Sequence, residues 1–296
     1  MKWWLALMLG LSACGARPAA TAHREVGVEG WMLDAQAATT AYVEKRYSDC
    51  TSLSLRASEH ASGRAKADAF VSAAGCELKA GHRAEAIALF RKGLETSASY
   101  CDDTIENANL QRELADDPQW ASFVTEFKPA CAAYLNSING ELRDIYHADQ
   151  DDRRAAPEKI DWKVVNPRDA ARRERVRQLE AAKQLRTADD YYHAAMVFQH
   201  GIDESSHATA FHFARHAVEL DSNFVKARWL VAASRDRYHM SRLEPQLYGT
   251  QYKIINGIWI VWPADHHITD RDRATWCVQS LETAKQSVAR MNAKSP

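Results

Sequence analysis

Apolar positions in this chain recur with a helical period over most of its length. Ala73, Ala74, Leu78, Gly81, Ala86, Phe90 and Leu94 fall largely at three- and four-residue steps, the spacing that places side chains on one face of an α-helix. Upstream, Ala37, Ala38, Ala41, Tyr47, Cys50, Leu53 and Ala57 repeat a similar order of small and large positions. Cys50 and Ala86 take the small place in each unit, 36 residues apart, close to the period of about 34 of tetratricopeptide helix pairs. That place is small because two antiparallel helices must approach closely there. The pattern predicts an all-α fold: an antiparallel helix-pair, tetratricopeptide-like superhelical body over residues 30–127. Two such units cannot bury their apolar face alone, so the rest of the chain must supply a stacking partner.

Residues 128–296 read as a helical C-terminal domain with one β-hairpin. Asp116 to Trp120 marks a break, and a helix is predicted from about Lys128 to Ala148. Arg153 to Arg168 is charged, contains Pro157 and Pro167, and reads as a linker or ordered loop. Asn166-Pro167 predicts a helix start, with Asn as cap and Pro in the first turn. Val176, Leu179, Ala182 and Leu185 form that helix's inner stripe, and Arg172, Arg173, Arg175 and Arg177 its solvated face. Thr187 and Asp190 have the spacing of a capping box for a helix over Tyr191–His200. Asp203 is placed to cap a helix to Leu220, and Asp221 another from about Asn223 to Met240. Asn256-Gly257 separates Gln251–Ile255 from Ile258–Trp262, a strong hairpin signal because both turn residues need positive φ. A last helix is predicted from about Arg271 to Met291.

The first residues change the picture of where the protein resides. Lys2, the apolar run Trp3–Leu11 and Ser12-Ala13-Cys14-Gly15 follow the order of a secretory signal. The run is about half of the roughly 20 residues needed to span a bilayer. Leu11-Ser12-Ala13-Cys14 resembles a bacterial lipobox. That resemblance implies a signal peptide over 1–13, lipidation of Cys14, a tether over 14–29, and a lipid anchor in the membrane. Gly15 rather than Asp after the Cys implies the outer membrane, facing the periplasm. Removing residues 1–13 takes one lysine and no acid, moving the net charge from −1 to −2. Such a balance carries no electrostatic footprint for nucleic acid. Beyond Cys14 lie Cys50, Cys76, Cys101, Cys131 and Cys277. In an oxidising compartment the first four are disulfide candidates with Cys277 unpaired, while buried free thiols are an equal alternative and the spacing leaves connectivity open.

None of the common hydrolase, nucleotide-binding or CxxC motifs is present. His212 and His216, four apart on one predicted helix, have the spacing of two metal ligands but more simply read as surface histidines, so no metal or other cofactor is expected. His266-His267 reads the same way. Three polar clusters fall at element ends: Asp149-Gln150 with Arg153; Gln199-His200 with Asp203; and Asp236-Arg237 with Pro245-Gln246-Leu247-Tyr248-Gly249-Thr250-Gln251. His200 has the chemistry of a general acid or base, with Asp203 placed to orient it; structural hydrogen bonding at helix junctions is the plainer account. Together the clusters resemble an uncharacterised bacterial family whose C-terminal domain carries DQxxR, QHxxD and DR…PQxYGTQ motifs below a tetratricopeptide-like segment. Here Gly201 stands where many relatives have a larger residue. The resemblance carries no activity. It implies that Gln150, Arg153, His200, Asp203, Arg237, Gln246, Tyr248 and Gln251 converge on one site. The leading expectation is a protein- or peptide-binding scaffold lipoprotein with an envelope protein or peptide partner. The alternatives are an envelope hydrolase using His200 and Asp203 with Arg153 or Arg237 as cation, and a periplasmic inhibitor or immunity lipoprotein.

Overall fold

A computed structural model describes residues 29–155 and 159–294. The signal segment and Cys14 lie outside the described residues. The described chain is all-α with one small hairpin, as the sequence pattern predicts.

Helices α1 (Gly30–Val43), α2 (Tyr47–His60), α3 (Gly63–Ala80) and α4 (Arg83–Thr96) pack each against the next. Ala41, Ala57, Ala73, Ala74 and Ala86 are fully buried between them, so small side chains set the close approach. Gly93 belongs to the same seam, since a Cβ there would lie 2.9 Å from Val71 Cγ2. The turn after α3 needs a left-handed residue, and Gly81 supplies it with φ 89°. A disulfide between Cys50 and Cys76 joins α2 to α3. A second, Cys101–Cys131, ties the segment after a 3-10 turn (Ala98–Tyr100) to the helix that carries Cys131. Cys277 is free.

After α5 (Ala108–Glu113), helix α6 (Pro118–Leu135) starts with Asp117 accepting from the Gln119 N–H and Pro118 in the first position. It buries Trp120, Phe123 and Phe127 against Phe90 as a ladder of tilted and edge-on aromatic contacts. The single helix predicted over Lys128–Ala148 is two: α6 ends at Leu135 and α7 runs Gly140–Asp151. Asn139 makes the break, its side chain accepting from the Leu142 N–H while its own N–H donates to Asp190 at 2.7 Å.

Helix α8 (Trp162–Ala181) starts earlier than predicted, with Asp161 as cap. Pro167 therefore sits inside the helix, which gives up one backbone hydrogen bond there. Helices α9 (Ala188–Gln199), α10 (Glu204–Leu220) and α11 (Val225–Ser241) form a second packed set. The Thr187–Asp190 capping box and the Asp203 cap are present. Asp221 does not cap α11; it accepts from the Asn223 N–H and pairs with Arg64. Strands β1 (Tyr252–Ile255) and β2 (Ile258–Val261) pair antiparallel around Asn256 and Gly257, both at positive φ. The predicted last helix is also split, into α12 (Asp270–Thr275) and α13 (Leu281–Lys294), with Cys277 at φ 55° between them.

The two ends of the described chain meet. Gln36 on α1 donates to the Asp270 and Val278 carbonyls, and Thr40 bonds Thr283 at 2.8 Å. Midway, Arg64 of α3 reaches across to Asp189 of α9. The C-terminal part thus supplies neighbours for the first helices. Among the described residues no helix is long and apolar enough to cross a membrane.

Candidate functional site

The first two polar clusters do meet, and Asp149 joins them. It is fully buried on the last turn of α7. Its carboxylate accepts from Gln150 Nε2 at 2.9 Å, from Arg153 Nη1 at 3.0 Å and from His200 Nδ1 at 2.7 Å. A carboxylate partner makes Nδ1 the protonated nitrogen, leaving Nε2 with the lone pair in the neutral ring. Among the described residues nothing is hydrogen-bonded to that Nε2. Burial pulls the His200 pKa down, Asp149 pulls it back up, and nearby Arg153 and Arg237 lower it again.

This corrects two expectations. Asp203 does not orient His200: its carboxylate accepts from the Ser206 N–H and hydroxyl, both at 2.8 Å, as the cap of α10. Arg153 is not a free cation, because it also pairs with Asp169, which with Asp152 holds Arg172. Gly201, the apparent departure in the QHxxD segment, is sterically required, since a Cβ there would lie 2.2 Å from Ser206 Cβ. The residue that organises the cluster, Asp149, was the first letter of the DQxxR motif; its burial, not its residue type, gives it the role.

The third cluster divides. Asp236 and Arg237 are neighbours on α11 and so point about 100° apart. Asp236 is fully buried and accepts from the Leu247, Tyr248 and Thr250 N–H groups and the Thr250 hydroxyl, at 2.7–3.0 Å. Burial pushes its carboxyl up, and these donors pull it back. Gln246, also fully buried, donates to the Gln251 and Trp262 carbonyls and accepts from the Gln251 N–H. Gln251 donates to Ala233 O and Thr250 Oγ1, and Tyr248 packs on Trp276 while its carbonyl accepts from Arg273. Gln246, Tyr248 and Gln251 thus hold the loop and hairpin on α11. The three clusters do not converge on one site; Arg237 alone of the third lies within electrostatic reach of His200 and Arg153.

Beside this network opens a cleft of about 310 Å³ between the two sets of helices. Gln150, alone of the predicted site residues, lines it at the α7 edge, with Arg154 just beyond the helix. Most of the cleft's charged groups are paired, Arg154 with Asp151 outside the lining, while the Glu106 carboxylate forms no ion pair among the described residues. Arg64 forms a bidentate pair with Asp189 at 3.0 and 2.8 Å, reaches Asp221, and lies 3.9 Å above the Phe224 ring. Lys226 pairs with Asp103 and Arg143 with Asp102. Burial would raise the Asp102 carboxyl, but the adjacent His147 and Arg143 outweigh it and hold it low. His193 Nδ1 is buried without a partner, and the Tyr134 hydroxyl lies beside the Asp189 carboxylate without a well-formed hydrogen bond. His193 is 4% exposed and stacks on Tyr146 at 4.5 Å. Burial pushes its pKa down to about 4, so the ring is neutral. These residues come from separate helices at no fixed spacing, and within Asp189-Asp190-Tyr191-Tyr192-His193 the histidine reads as an ordinary inner-face position.

His212 and His216 lie on α10, where His216 bonds Glu219 at 3.1 Å. Among the described residues the group of histidines and carboxylates close enough to share an ion is instead Asp265, His266 and His267 on the exposed loop after β2. Comparison of the chain with protein-family models, curated proteins and solved structures returned no match.

Proposed function

We propose that this is a binding protein of the cell envelope, held by a lipid on Cys14 at the periplasmic face of the outer membrane, and that it takes a peptide segment in the cleft between its helix sets. The supporting observation is which groups there lack partners. Most of the ions are paired, whereas the His193 Nδ1 has no partner and the Tyr134 phenol has beside it the Asp189 carboxylate, already held by Arg64. The unpaired Nδ1 of a neutral imidazole is either a donor or an acceptor, according to tautomer, and a phenol oxygen can be both. That set matches the C=O and N–H of an amide better than it matches an ion. Buried unpaired polar groups cost about 1–3 kcal/mol each, so a ligand that bonds them recovers free energy. The hydrolase alternative would rest on the Asp149–His200 pair, but no serine, threonine or cysteine side chain among the described residues is bonded to His200 Nε2.

The test is thermal stabilisation and calorimetry with a pool of short peptides from an envelope digest. Peptides that stabilise the protein should bind Tyr134→Phe and His193→Phe more weakly, by about 2- to 10-fold each, the worth of one neutral hydrogen bond. Equal binding by wild type and the double variant would remove the cleft from consideration. For the anchor, Cys14→Ala should move the protein from the membrane to the soluble periplasmic fraction or leave its precursor unprocessed. Processed, membrane-bound Cys14→Ala protein would overturn lipidation.

A further inference from the structure

Among the described residues Arg237 is a half-buried cation with no carboxylate or carbonyl partner. It makes no hydrogen bond or ion pair with any described residue, and its Nε is buried without an acceptor. Arginine nearly always meets a carboxylate, carbonyl or ligand oxygen when taken out of water, because its five donors are strongly hydrated in the unfolded chain. Here the charged neighbour that acts on it is another cation, Arg153. Burial, with Arg153 adding to it, pushes the Arg237 pKa down to about 10. Arg153 cannot turn away, because Asp149 and Asp169 hold it from two sides.

The surroundings lack acceptors in the same direction. Arg173 on α8 has an Nη1 that is likewise buried and unpaired. His207 on α10 bonds the Gly201 carbonyl through Nε2 at 2.9 Å, leaving a buried, unpaired Nδ1. Arg237 and Arg173 both act on His207, and Arg237 acts on His200. The carboxylates nearby are committed: Asp149 to Arg153 and His200, Asp169 to Arg153 and Arg172, and Asp203 to Ser206. Unpaired nitrogens on four elements therefore lie within electrostatic reach of one another; Gln199 Oε1 is an unpaired oxygen on the same segment as His200, and no described oxygen is bonded to Arg237.

We propose that Arg237, flanked by His200, His207 and Arg173, is the binding site of a small oxyanion, a phosphate or carboxylate group. A guanidinium binds either in a bidentate fork. The two histidines, neutral in the empty site, take up protons as the anion arrives and become donors to it. His200 is built for this, since Asp149 behind Nδ1 stabilises the imidazolium. The site is separate from the peptide cleft and does not depend on that reading.

The experiment is a thermal-shift and calorimetric titration with inorganic phosphate, with acetate, and with chloride at matched ionic strength, on wild type, Arg237→Gln and Arg237→Lys. Phosphate or acetate at tenfold its Kd should raise the wild-type Tm by about 3 °C over chloride, with proton uptake visible as a buffer-dependent heat. Which anion does so identifies the ligand group. Arg237→Gln should lose the shift while melting no lower than wild type without anion, because it removes an uncompensated charge; Arg237→Lys should keep part of it. No shift beyond chloride with either anion would overturn the proposal. So would an equal shift in wild type and a folded Arg237→Gln.

Discussion

Asp236→Ala is expected to lower the free energy of unfolding by about 3–5 kcal/mol, the loss seen when one side of a buried charged network is removed. The carboxylate is fully buried and serves four donors, three of them backbone N–H groups of residues 247–250. An orphaned buried donor costs about 1–3 kcal/mol, so part of the full sum must be recovered by the loop opening to water. That opening carries a second consequence. Gln246 holds the Gln251 and Trp262 backbone from inside the same loop, so the hairpin should loosen with it. Asp236→Asn retains one carbonyl oxygen for Leu247 and Tyr248 but turns an NH2 toward Thr250, and should cost less than Ala. Urea unfolding measures the stability and hydrogen exchange at residues 247–255 the loop. An alanine variant within 1 kcal/mol of wild type, with unchanged exchange, would show that the cage around Asp236 carries little weight.

What could be read in the sequence was local. The Thr187–Asp190 box, the Asp203 cap and the Asn256-Gly257 turn each place a donor, acceptor or positive φ within a few residues, whereas Asp116 to Trp120, read as a break, holds the Asp117 cap and Pro118 start of α6. Their physics is complete inside the motif. The misplaced boundaries depend on distant partners. Helix α7 separates from α6 where the Asn139 N–H finds Asp190, 51 residues away. Asp221 looked like a cap because nothing in its own segment announces Arg64. Pro167 looked like a first-turn proline, yet the chain accepts one missing hydrogen bond there, while the cap falls to Asp161.

The same division runs through the candidate site. Gln150, Arg153, His200 and Arg237 were visible as polar residues at helix ends, and they do come near one another. The sequence could not assign the carboxylate between them. Asp203 was closer to His200 along the chain, but a residue three positions before a helical N–H is already spoken for as a cap. Asp149 is far in sequence and adjacent in space. In the third cluster, Asp236 and Arg237 shared a motif yet serve different neighbourhoods, a direct result of the 100° step of the helix. The cleft was not legible at all, since its tyrosines and His193 come from different helices and resemble core.

His193 makes the strongest statement about pH. In the unfolded chain its imidazole binds a proton near pH 6.5, whereas the folded site resists it until about pH 4. Between those values the unfolded state holds more protons, so stability falls as pH falls. A shift of this size corresponds to about 3 kcal/mol, fully lost by pH 4. His200 and His207, both lowered first by burial, add to the slope in the same direction. The carboxylates held low by partners, such as Asp102, act only below the ordinary carboxylate range, while Asp68 and Asp236, raised by burial, act above it with the opposite sign, so it is the difference from a variant lacking the imidazole that isolates His193. His193→Phe keeps a ring against Tyr146 and removes the titration. Its stability, measured by urea unfolding at pH 7.0, 5.5 and 4.5, should fall about 2 kcal/mol less than wild type over that interval. Parallel curves would mean that the folded cleft admits a proton to His193, and the neutral imidazole offered there to a peptide amide would no longer hold.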